Sequence, residues 1–386
     1  MIIGKYYEGI ELVRKEKIAY ARFLKPHRVL STCRSNGGLR EDLEYLYNHQ
    51  SCEPTAHSGT DLCQVAVKEP DRYQKRICDK ANIDPTKAAS LGTAANMNNA
   101  AIAQESFQDL EVIAVVTAGV GTNAGRAGDP ASYYISEEGT VMLEKKAPLH
   151  GTINILLFLS QELTAGATLS AASVAIEAKA AVLQELGAPS RYSSSLATGT
   201  GTDQIGIASL LGTNIVHTDA NKHSKTGELV GLAVSSALRS ALNLQCGMTP
   251  DSRRSSLVSL SRFGETQDSF IGGIQQHLNS DHSTLLKNNF LSVNHDPLTV
   301  AAVQACVHLR DQLAWKVLPM SCCQEILSSQ AAQIACCVSN KPALWPKFRE
   351  ALSSETLTIS NQDFLSLFHK AFALGFSEKW SGRFED

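Results

Sequence analysis

The chain has 386 residues, of which 43% are hydrophobic and 19% charged, with a formal net charge of −3. That size and composition imply two units with sizeable cores and exclude a mostly disordered chain. No run of Lys or Arg is longer than a pair such as Lys145–Lys146, so no nucleic-acid footprint is expected, and no apolar stretch has the length of a membrane span.

Met1 to Tyr20 mixes Lys, Glu and Arg among its apolar residues and lacks the uninterrupted apolar core of a secretory signal. Ten cysteines without an export signal are expected to be reduced thiols in a cytoplasmic protein. The pairs Cys322–Cys323 and Cys336–Cys337 invite a metal. On one continuous helix they would stand roughly 21 Å apart at ~1.5 Å per residue, too far for one ion unless a turn intervenes. No resident metal is expected.

From about Pro26 to about Leu244 the pattern is mixed α/β. Arg28–Cys33, Leu62–Val67, Val112–Thr117, Thr152–Leu159 and Gln204–Leu210 are apolar or alternating runs of strand length, bounded by turn residues. The spacing of Leu169, Ser173, Ile176, Ala180 and Leu183 predicts a helix over about Ala165–Leu186, closed by Gly187 and Pro189. A second helix is predicted over about Thr226–Leu244, with Leu229, Ala233, Ser236, Ala237 and Ala241 on one face. Beyond Gly247 helical spacing dominates, as in Leu298–Leu313 and Asp363–Leu374. The boundary is placed in Gly247–Ser255, giving an α/β domain over 1–247 and an α-helical extension over 248–386.

Four Gly-rich or polar clusters fall at predicted strand ends: Ser35-Asn36-Gly37-Gly38, Thr117 to Ala131, Gly151 to Asn154, and Ala197 to Asp203. Turns alone would explain any one of them; four together point to a site built from strand-end loops. Neither a phosphate-loop nor a dinucleotide fingerprint is present. Thr198, Thr200 and Thr202 alternate with glycines ahead of Asp203 and present nucleophile-type hydroxyls that need a base. His223 lies at the entrance of the second helix, which Ser224 or Thr226 would cap with Glu228 closing the arrangement; the helix dipole would favour a neutral imidazole there. Glu177, beside the predicted apolar face, is partly buried in this reading or else paired with Lys179, Lys225 or Arg191. Asp129 is expected to pair with Arg126 and brace its own loop.

With these segments in view, the chain resembles the CbiZ-type adenosylcobinamide amidohydrolases over roughly Arg28 to Leu244. The likeness rests on Ser35-Asn36-Gly37-Gly38-Leu39, on Thr117-Ala118-Gly119-Val120 leading to Asn123-Ala124-Gly125-Arg126-Ala127-Gly128-Asp129-Pro130, and on Gly151-Thr152-Ile153-Asn154-Ile155. Ala197 to Asp203 and Lys222-His223-Ser224-Lys225-Thr226-Gly227-Glu228-Leu229 complete it. The segment His308 to Trp315 before Leu318-Pro319 is similar to the C-terminal extension of some members, with Lys316 in place of a small residue.

The resemblance implies hydrolysis of the amide joining aminopropanol to a corrin side chain, giving adenosylcobyric acid. It implies substrate contacts from Asn36, Gly37, Gly38, Thr117, Asn123, Arg126, Asp129, Thr198 and Thr202. Cobalt would arrive with the substrate and no further cofactor would be held.

The order Gly151–Asn154, helix, Thr198–Gly201 is also similar to DmpA-type aminopeptidases, which free an N-terminal Ser by self-cleavage. That likeness implies a two-layer β core between helices, Thr200 as nucleophile and Asn154 at the oxyanion; this chain has Thr for Ser and one more Thr before the Asp. If the chain stays intact, His223, Asp203 or Glu177 is the base. Direct water attack assisted by Glu177 or His223 stays open, as do a non-catalytic corrinoid-binding protein, a small-peptide amidase and a homo-oligomer.

Overall fold

The computed structural model describes residues 1–51, 65–66, 68–143, 151–354 and 356–381. The chain forms two compact units, Met1–Met248 and Thr249–Asp386.

Two large sheets make the centre of the first unit. In one, β1 (Ile2–Tyr6), β2 (Ile10–Lys15), β3 (Ile18–Phe23), β6 (Tyr45–Gln50) and β7 (Ala88–Thr93) lie in the order β1-β2-β3-β6-β7. The other places β5 (Gly38–Arg40), β4 (His27–Ser31), β11 (Gln204–Leu210), β10 (Ile153–Leu159), β9 (Leu110–Ala118) and β8 (Ala101–Phe107) side by side in that order. All neighbours are antiparallel except β6/β7 and β10/β11.

The layers follow from which face each side chain takes. Leu12, Leu46 and Leu91 of the first sheet meet Val115, Leu156 and Phe158 of the second in a shared core. The outer face of the first sheet carries Tyr47 and Ala88 against Tyr73, Ile77 and Cys78 of helix α1 (Pro70–Ala81). The outer face of the second carries Ile155, Leu157 and Ile207 against α2 (Ala165–Glu185) and α3 (Lys225–Cys246). Strand β10 is therefore buried on both faces, which is why Ile153–Leu159 is almost wholly apolar. The order α, β, β, α is the two-layer β core between helices that the sequence implies.

Four of the five expected strands form near their expected bounds. The expected strand Leu62–Val67 lies outside the described residues except for Val65 and Ala66, which are helical. The meander β1–β3, together with β6, β7, β8 and α1, was not expected. In α2 the bounds agree and Leu183 is buried as expected, but most of the expected face is not: Ala167, Ala171, Ala175 and Val182 face inward, while Leu169 is 62% and Ile176 47% exposed. Alanines let the helix lie close on a sheet whose own Ile and Leu side chains already fill the gap.

Two buried histidines make this unit acid-sensitive. His27 bonds to Lys25 O at 2.8 Å and Tyr7 Oη at 3.1 Å, and burial lowers its pKa to about 4. His49 bonds to Tyr73 Oη at 2.5 Å, and burial, then Lys17 and Lys80, lower it to about 4. A folded-state pKa below the ordinary 6.5 means the unfolded chain takes up the proton first, so stability present above pH 6.5 is lost as pH falls toward 4. The penalty is on the order of 3 kcal/mol per histidine at full extent. Thermal melts across that window should show a falling Tm, and a flat profile would contradict it.

The second unit is helical, with Gln267–Gln275, Ser280–Asn294, Pro297–Ala314, Cys323–Ser339, Trp345–Leu352 and Asn361–Trp380 as its longer helices. Its core is rich in phenylalanine, with Phe270 against Phe372 at 4.9 Å and Phe364 against Phe368 at 4.8 Å between ring centroids. The two cysteine pairs stand at opposite ends of the single helix Cys323–Ser339.

Candidate active site

Strand β10 begins where β9 ends, and β11 begins beside β10, so Ala118, Ile153 and Gln204 share one end of the second sheet. The loops at that end carry three of the four clusters noted in the sequence. The short strand Gly199–Thr200 pairs with Ala124–Gly125 and fixes the Ala197–Asp203 loop across the Thr117–Ala131 loop.

Asp203 is the centre of one group. Its carboxylate accepts from Thr200 Oγ1 at 2.5 Å, Thr200 N at 3.0 Å, Ile153 N at 3.0 Å and Lys179 Nζ at 2.5 Å. Four donors, one of them an ammonium, hold the carboxylate in a single orientation against Thr200. A Cβ at position 199 would lie 2.4 Å from Asp203 Oδ2 and 2.9 Å from Lys179 Nζ, so any larger residue there would displace that pair. Lys179 reaches the site because it lies on the buried stripe of α2, in line with Ala172 and Ala175.

A second set of bonds surrounds this group. Thr202 Oγ1 meets Thr152 Oγ1 at 2.5 Å and donates to Gly151 O at 2.8 Å. Asn123 Nδ2 also donates to Gly151 O, at 2.9 Å, and Tyr192 Oη donates to Asn123 Oδ1 at 2.5 Å. Thr198 Oγ1 accepts from Ala127 N at 2.9 Å. Asp129 accepts from Arg126 N at 2.7 Å and Ser190 Oγ at 2.6 Å. Burial pushes the Asp129 pKa up, but bonds from Ser190, Ser193 and Arg126 outweigh it and the net shift is downward. The Arg126 guanidinium reaches Leu196 O at 3.2 Å.

Asn154 belongs to the opposite face of the sheet. Ile153 and Ile155 point to the helices, so Asn154 points between the sheets, as do its register partners Thr117 and Gln204. Its amide nitrogen donates to Asn48 Oδ1 and Gly92 O, both at 2.9 Å, and Asn48 donates in turn to Thr117 Oγ1 at 2.8 Å. Gln204 Oε1 accepts from Gly92 N at 2.8 Å. Both amide hydrogens of Asn154 are thus committed to the inter-sheet network, and the structure does not bring it to Thr200.

His223 and Glu177 are not brought to Thr200 either. The start of α3 lies at the far end of the sheet: Thr226 Oγ1 bonds to His217 Nδ1, and His217 Nε2 to Gln161, just past the end of β10. Seven strand residues separate the two ends, roughly 20 Å. Ser224 caps α3 through Gly227 N at 3.0 Å, whereas Glu228 pairs with Lys225. Glu177, expected to be partly buried, is exposed because of the phase of α2 and pairs with exposed Lys222 at 2.5 Å. Such a pair contributes about 0–1 kcal/mol. Glu177→Ala and His223→Ala should each leave turnover within twofold and Tm nearly unchanged; a large loss of turnover in either would return it to the site.

Asn36 serves the fold as well: its amide donates to Pro85 O at 2.8 Å and Ala88 O at 2.9 Å. Gly37 and Gly38 make the turn into β5, where a Cβ on Gly37 would meet Cys33 O at 1.9 Å and Gly38 has φ +81°.

The sequence model of the family described as adenosylcobinamide amidohydrolase matches residues 3–250. The chain belongs to that family. An uncharacterised protein of Methanocaldococcus jannaschii is 32% identical over 243 residues, which are 60% of this chain and 88% of the relative. The family match covers the whole two-sheet unit, and the amidohydrolase name makes the chain a hydrolase with a corrinoid-related role.

Two residues bonded into this group were not named as candidates from the sequence, Lys179 and Tyr192, and Thr152 was named only within the Gly151–Asn154 cluster. Lys179 carried a signal, since it is the one cation in α2 and sits among alanines. With the correct helical phase it falls on the buried stripe, where a lysine needs a partner.

Proposed function

We propose that the chain hydrolyses the amide between a corrin side chain and aminopropanol in adenosylcobinamide, giving adenosylcobyric acid for corrinoid salvage in the cytoplasm. The observation that carries this reading, beside family membership, is the Lys179–Asp203–Thr200 chain, with Thr200 Oγ1 at 2.5 Å from the carboxylate. In this mechanism Asp203 takes the Thr200 proton as Oγ1 attacks the amide carbonyl carbon. The C–N bond then breaks, aminopropanol leaves carrying that proton, and the corrin acyl group stays as an ester on Thr200. Water attacks the ester, its proton returns to Thr200, and the acid is released. Lys179 holds the carboxylate in place throughout. If the Gly199–Thr200 bond is cleaved, the freed Thr200 amine replaces Asp203 as the base.

Water attack assisted by Glu177 or His223 loses its support, since Glu177 is on the exposed side of α2 and paired with Lys222, and His223 enters α3 where Thr226 bonds to His217. Incubation with adenosylcobinamide, followed by chromatography with mass detection of products and of the intact protein, tests the reading. Adenosylcobyric acid and aminopropanol are expected, and a protein fragment ending at Gly199 would identify the amine as base. Bound but unchanged substrate would favour a corrinoid-binding protein without turnover.

A further inference from the structure

After Asp129 the chain forms a hairpin that the catalytic reading does not use. Strands Tyr133–Ser136 and Gly139–Met142 form a two-stranded ribbon, paired Tyr133 to Met142 and Tyr134 to Val141. Alternation puts Tyr133, Ile135 and Met142 on one face and Tyr134, Val141 and Leu143 on the other. Thr140 shares the first face and Ser136 the second, but the six apolar residues are all exposed, Ile135 by 79%. A lone ribbon of this kind is marginal in water, and a contiguous exposed apolar patch marks a surface that something covers.

We propose that one face of this hairpin is the wall against which the corrin macrocycle lies while its side chain is cut at Thr200. The inference rests on the corrinoid reading of the site. Its first support is continuity. The hairpin follows Asp129, which Ser190 Oγ and Arg126 N fix, and Asp129 in turn follows Gly125, whose strand partner is Gly199. Tyr133 is four residues from Asp129, so at most about 14 Å of extended chain separates them.

The second support is chemical fit. The macrocycle is broad, flat and largely apolar, far larger than the amide that is broken, and it needs apolar surface beside the nucleophile to orient it. Tyrosines supply such surface at small entropic cost. The third is charge. A cobalt(III) corrin with an adenosyl ligand and no phosphate is a cation, and the hairpin tip carries exposed Glu137 and Glu138.

The test measures Kd for adenosylcobinamide by equilibrium dialysis on Thr200→Ala protein, where binding is separate from turnover. Tyr133→Ser with Ile135→Ser, and Tyr134→Ser with Val141→Ser, are then added in turn. A rise in Kd of at least tenfold in one of the two, with the Tm held, is the expected result. Unchanged Kd in both overturns the inference, and does so for a second-copy interface if light scattering shows the same variants dissociating a dimer. Because the readout is binding, a wild-type protein that binds adenosylcobinamide without hydrolysing it overturns the catalytic reading alone.

Discussion

Thr200→Ala should lower turnover of adenosylcobinamide by about 10³-fold or more, roughly 4 kcal/mol of transition-state stabilisation, with substrate still bound. The Thr200 hydroxyl is hydrogen-bonded to a carboxylate that is itself held by an ammonium and two backbone N–H groups. Removing it deletes the attacking atom and leaves that support in place. Asp203 keeps three of its four donors, so the cost to folding is that of one hydrogen bond, about 1 kcal/mol. Thr200→Ser keeps an attacking oxygen at the same strand position and should retain turnover within about tenfold. Full activity of Thr200→Ala would end the acyl-enzyme route, and a large drop in its Tm would mean the hydroxyl serves the fold.

Much of the fold was legible because its central strands are short apolar runs bounded by Gly, Asn and Thr. Facing was much less so. Strand β10 is apolar on both sides, so nothing in Ile153–Leu159 says that Asn154 turns toward the other sheet; that is set by register against β9 and β11. In α2 the alanines weaken the amphipathic signal, and a misjudged phase put Ile176 inside and overlooked Lys179. The same error exchanged the parts of two neighbours: Glu177 is the solvent-exposed ion pair, and Lys179 is the buried one. His223 was placed correctly at a helix start. Its distance from Thr200 depends on topology, because the chain must run the full length of β11 before entering α3. The meander β1–β3 was missed because alternating charges such as Glu11 and Arg22 conceal its apolar face.

The Lys179–Asp203 pair should show a split between stability and activity that a purely structural pair would not. Lys179 and Asp203 have side chains 11% and 16% exposed, so Lys179→Met leaves a carboxylate in a poorly solvated place without its counter-charge. Breaking such a pair from one side costs about 3–5 kcal/mol when fully buried, and the remaining exposure puts the expected loss near the lower end, about 3 kcal/mol. Turnover should fall by about 10²-fold, since the carboxylate loses the contact that aims it at Thr200. Adding Asp203→Asn removes the stranded charge, and the double variant should recover most of the Tm. It should not recover turnover, because an amide cannot take the Thr200 proton. Recovery of both would make the pair a structural tie alone, and an unchanged Tm and turnover in Lys179→Met would remove Lys179 from the site.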